Sequence, residues 1–188
     1  LTRFVCPLLG LSGDAESVAR LHEYLTDRSR GIRGAAVVGA FHVLSSQSGT
    51  LVDEFRTNLL GSSTRLDSVR EALVSNSLVV SEAAVGVLLR LDRPEFAPDI
   101  LAASAGQPWV QGAVDKVAAF GPVVTAPLIA SFSDAGVSIQ ILFLEVVERI
   151  GDDGIVRTEN RLEETRICIE TRGVQDRVLH PEEVAQLV

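Results

Sequence analysis

The chain has 188 residues, is 46% apolar, and carries 17 basic against 25 acidic residues for a formal charge of −8. A chain this long and this apolar buries a core instead of staying disordered. An acidic average surface repels a phosphate backbone, which argues against nucleic acid as a partner.

Cys6 and Cys168 are far apart and outside any Cys-x-x-Cys or Cys/His cluster, so neither a disulfide framework nor a zinc site is expected. No apolar run reaches the roughly 18 residues of a membrane span, and no charged leader precedes an apolar segment. A cytoplasmic location is expected. The start at Leu1, the lack of Met and the apolar ending "VAQLV" read as a piece of a longer protein.

In chain order, "LTRFVCPLLG" reads as the second helix of an earlier helical pair, followed by the loop "GLSGD". Four segments then line up: "RGIRGAAVVGAFHVL", "LVVSEAAVGVLLRL", "PWVQGAVDKVAAFG" and "VSIQILFLEVVERIG". Each has a β-branched anchor, Ile32, Val80, Val110 or Ile139, at separations of 48, 30 and 29 residues. Three or more units at a period near 30 mark a stacked array.

Leu25, Leu73, Ala103 and Phe132 stand seven residues before the anchors, and Leu21 and Leu128 four before that, which is the spacing of a first helix. Short polar hinges join the two helices of each pair. Gly106 and Gly136 suit a left-handed helix end, and Pro108 the first turn of the next helix. The second helices are rich in small residues, among them Gly34, Ala36, Gly39, Ala84, Gly86 and Gly112. Since Gly costs about 1 kcal/mol in a helix, these predict close backbone approach between neighbouring pairs.

The long first interval holds "LVDEFRTNLL", with Leu51, Val52, Phe55, Leu59 and Leu60 on one helical face, so an extra helix is expected near 51–60. The repeat array is assigned to residues 1–154, and residues 155–188 to a divergent cap or extension. In that tail "TRICIETR" fits helix or strand, and "HPEEVAQLV" fits a helix start at Pro181.

The segments "YLTDRSRGIRGAAVVGAF" and "LIASFSDAGVSIQILFLEVVERIG" resemble the HEAT-repeat family, especially the short bacterial repeats also found in phycobilisome bilin lyases. Asp27, Ile32, Arg33 and the Ala35–Ala36 pair stand as in the family, as do Asp134 and Ile139. The family's arginine is replaced by Ser81, Gln111 and Gln140 in the other units. The resemblance covers about residues 12–151 and implies an all-α fold, an α-solenoid of stacked antiparallel hairpins.

Candidate sites are few. His22, His42 and His180 lack metal-ligand spacing, and no nucleophile elbow or phosphate-cradling loop occurs. Asp152 and Asp153 read as a capped turn. No cofactor or catalytic residue is assigned.

The resemblance implies that second helices line a concave groove, which points to Arg33, Glu82, Gln111, Lys116, Gln140 and Glu145. Trp109, the single Trp, is added as an interface anchor. The leading expectation is therefore a non-enzymatic scaffold or adaptor that binds a protein or peptide. A bilin-lyase-like enzyme or a regulatory repeat domain is the alternative. A HEAT-like DNA glycosylase fits least, because it needs a basic groove.

Overall fold

The computed structural model describes residues 2–46 and 49–151. The tail 155–188, the Asp152–Asp153 turn, Cys168 and His180 lie outside the described residues, as does the boundary placed after residue 154. Among the described residues the protein is all-helical, with ten α-helices and no strand.

The helices are α1 (Thr2–Ser12), α2 (Ala15–Tyr24), α3 (Arg30–Ser46), α4 (Thr50–Leu60), α5 (Ser63–Leu73), α6 (Leu78–Arg90), α7 (Ala97–Ser104), α8 (Val110–Ala118), α9 (Thr125–Phe132) and α10 (Val137–Ile150). Short 3-10 turns at Pro94–Phe96 and Gly121–Val124 lead into α7 and α9. The four pairs expected from the sequence are present: α2 with α3, α5 with α6, α7 with α8, and α9 with α10.

The pairs are arranged in two layers. First helices run α2, α4, α5, α7, α9, and second helices run α1, α3, α6, α8, α10, with neighbours in each row in contact. α1 packs most extensively on α3, which places the opening segment in the second-helix layer. α4 sits between α2 and α5, burying Val52, Phe55 and Leu59, with Leu51 and Leu60 half-buried beside them. The extra helix is thus absorbed into the first layer, and one apolar cluster extends from Cys6 to Val147.

Small residues set the spacing of the second layer. A methyl group on Gly39 would lie 2.5 Å from the Cys6 carbonyl oxygen and 2.6 Å from Leu21 Cδ2. Gly10 meets the backbone of Gly39 across the same contact, and Gly86 lies under the ring of Phe41. Ala36 and Ala84 are fully buried. Gly112 is different: nothing lies within 4 Å of where its side chain would be, so its small size serves no contact.

Helix ends follow local chemistry, with two departures from expectation. Asp14 caps α2, its carboxylate accepting from the Ser17 amide at 2.8 Å, and that bond holds its carboxyl down at about 2. Gly106 is left-handed at φ 73°, as expected after α7. Gly136 is extended instead, at φ −66° and ψ 156°, because it serves as the N-cap of α10. α8 starts at Val110, so Pro108 lies in the preceding turn, where Val110 N bonds to Gln107 O.

Among the described residues no single helix is long and apolar enough to cross a membrane. The Val110–Ala118 and Gly121–Phe132 segments are apolar together but bent by 112°, and Val114, Val117, Val124 and Leu128 are used in the core.

Candidate functional site

In three of the four pairs the position after the anchor has a specific task. Ser81 Oγ donates to the Leu73 carbonyl at 2.8 Å, and Gln140 Nε2 donates to the Phe132 carbonyl at 2.8 Å, each reaching back eight residues. Arg33 does the same in its own hinge, its Nη1 donating to the Asp27 carbonyl at 2.8 Å and to that of Arg28 at 3.1 Å. The last carbonyls of a helix lack intrahelical partners, and here a side chain from the next helix supplies one. A polar donor at this position therefore clasps the hairpin, which explains why Arg, Ser and Gln are interchangeable there.

That role redistributes the candidate groove residues. Gln140 is buried at 8% exposure and spends its amide on the hinge, so it does not present a side chain to solvent. Arg33 is mostly covered; beyond the hinge carbonyls it donates through Nε to Glu71 Oε2 at 3.0 Å, and Nη2 bonds to the same oxygen. The resemblance places both on a groove, but each is largely covered and bonded to its own hinge. Gln111, in the equivalent position of the third pair, is exposed and does not clasp its hinge.

The remaining candidates divide into four places. Gln111 and Glu145 come together through Arg149, whose Nη2 donates to Gln111 Oε1 and to Glu145 Oε1, both at 2.7 Å. Arg149 also pairs with Asp115, so a four-residue polar cluster bridges α8 and α10. Lys116 follows Asp115 and is exposed in the last turn of α8, where a cation is favoured.

Glu82 is exposed on α6, a helix otherwise buried on nearly all sides from Ser81 to Leu88. Trp109 caps α8 half-buried, with its indole nitrogen enclosed and without a hydrogen-bond partner among the described residues. Of the seven residues, Gln111 and Glu145 are the two that hydrogen bonds among the described residues bring together.

Sequence reading missed Arg149 and Asp115. Their signal was present in the i, i+4 spacing of Gln111 with Asp115 and of Glu145 with Arg149 on successive second helices. It became meaningful only once α8 and α10 were known to be adjacent.

Comparison with protein-family models, with curated proteins and with solved structures finds no match to this chain. Among the described residues no three His, Cys, Asp or Glu side chains come together as metal ligands. Cys6 is buried, and burial pushes its thiol pKa up, away from a reactive thiolate.

Proposed function

We propose that the chain is a non-enzymatic interaction scaffold, an α-solenoid of HEAT-like hairpins whose second-helix surface holds a protein or peptide. The observation that carries this reading is the two-layer order of the helices. The α2–α3, α5–α6 and α9–α10 pairs are clasped internally, and close glycine contacts join α1, α3 and α6, a construction that supports a surface extended along one direction. Of the candidate residues, Glu82, Gln111 and Lys116 are exposed on second helices and available to a partner. Arg33 and Gln140 instead support the first and last hairpins.

The test is affinity capture from lysate with the wild-type chain and with a Glu82→Lys, Gln111→Glu, Lys116→Glu variant. All three sites are solvent-exposed, so the circular dichroism spectrum should not change. A protein retained by the first and lost by the second is the expected result. Equal retention, or none, removes this surface from the account.

A further inference from the structure

The second-helix surface is not the only place where the hairpins leave unused chemistry. Where the first hinge meets the next pair, a shallow open cleft lies between α3 and α5, with Arg30, Arg33 and Gly34 on one wall and Ser68, Glu71 and Ser75 on the other. Glu71 is shared by two guanidinium groups, Arg30 at 3.2 Å and Arg33 on its other oxygen. Arg28, exposed on the same hinge, has no ion pair among the described residues.

Three arginines within six residues therefore have one opposing carboxylate across the cleft, in a chain whose net charge is −8. Asp27 is occupied locally, accepting from the Ser29 amide at 2.7 Å. The neighbouring hinge, which contributes Ser75 and Val80 to the cleft, also carries Val74, Leu78 and Val79 at 74%, 57% and 64% exposure. With Arg33 committed to its hinge and to Glu71, the exposed Arg28 and Arg30 beside three exposed aliphatic side chains are complementary to one kind of ligand: carboxylates for these two guanidinium groups, and an apolar side chain for the hinge.

We infer that this hinge edge docks an acidic peptide segment of another protein, with one large apolar residue near its carboxylates. The inference rests on the scaffold reading and names the partner's chemistry. An anionic membrane would offer the same charge, but a molecule of net charge −8 is repelled from such a surface as a whole, whereas a short peptide meets only the local field.

The probe is a panel of fluorescent ten-residue peptides, each with four glutamates and one Leu or Phe moved through the sequence, read by fluorescence anisotropy at 50 and 300 mM salt. The best peptides should bind at least tenfold more tightly than a glutamine-substituted control. Binding should weaken at the higher salt, and should fall about tenfold or more in an Arg28→Ala, Arg30→Ala variant whose melting is unchanged. Leu78→Ser with Val79→Ser should reduce it separately.

No preference for glutamate over glutamine, or no loss in the arginine variant, would overturn the inference. So would arginine-dependent binding to vesicles of four parts phosphatidylcholine to one part phosphatidylserine in the absence of peptide binding, since that assigns the edge to lipid. If the peptide panel fails while the captured protein still depends on Glu82, Gln111 and Lys116, only the hinge edge is lost. If capture fails and the peptides bind, the second-helix surface is lost instead.

Discussion

Replacing Gly39 by Ala and replacing Gly112 by Ala are the same chemical change in two second helices, and the structure assigns them opposite signs. In a helix the change alone favours Ala by up to about 1 kcal/mol, because Gly loses more backbone freedom on folding. At Gly112 nothing lies within 4 Å of the new methyl group, so the propensity gain should appear almost undiminished, at roughly 0.5–1 kcal/mol.

At Gly39 the methyl would stand 2.5 Å from a backbone oxygen of α1 and 2.6 Å from the fully buried Leu21. A backbone oxygen held in a helix cannot swing aside, so α1 and α3 must separate. Overpacking of this kind costs about 1–3 kcal/mol or more, and the net effect is destabilising by about 1–2 kcal/mol. Parallel urea melts followed by circular dichroism at 222 nm should move the midpoints in opposite directions. Two stabilised variants would refute the claim that glycines set the α1–α3 distance. Two destabilised variants would show that Gly112 has a contact the structure lacks.

Gln140→Ala and Ser81→Ala each leave a hinge carbonyl without its donor and should cost about 1–2 kcal/mol. Gln140→Glu, whose carboxylate cannot donate, should cost more, and urea melts that rank the two Gln140 variants the other way would dismiss the clasp. Ala84→Asp buries an unpaired charge at a fully covered position in α6 and should lower stability by several kcal/mol, so an unchanged thermal midpoint would show the helix is placed wrongly.

His22 is buried, its ring stacked on Phe55 at 4.4 Å between centroids, and neither ring nitrogen has a hydrogen-bond partner among the described residues. Burial first, and the charge of Arg65 second, press its pKa from 6.5 to about 4. As the pH falls through 6.5 the unfolded chain takes up a proton that the folded chain refuses. Its full share of stability is therefore present above pH 6.5 and is lost progressively down to pH 4, by about 3 kcal/mol at most. Melts of His22→Leu should lose this part of the acid sensitivity, and identical pH profiles for variant and wild type would contradict the burial argument.

Helical content and the pairing of helices were legible in the sequence because they depend on local spacing: anchors, apolar positions at i and i+4, and polar hinges. The extra helix at α4 was readable for the same reason, from Val52, Phe55 and Leu59 on one face. A local pattern does not say which surface of a polar residue is covered. Gln140 and Arg33 look like exposed positions on a helical wheel, and only the return of the chain through the hinge puts a bare carbonyl within their reach.

Likewise Gly39 and Gly112 are indistinguishable as letters, and the proximity of α1 alone makes one of them indispensable. The Arg149 cluster and the cleft at Arg30 each combine side chains from separate helical pairs. Periodicity along a chain determines which residues share a helix face, whereas packing between helices determines which faces meet, and the Arg149 cluster and the Arg30 cleft both lie at such a meeting.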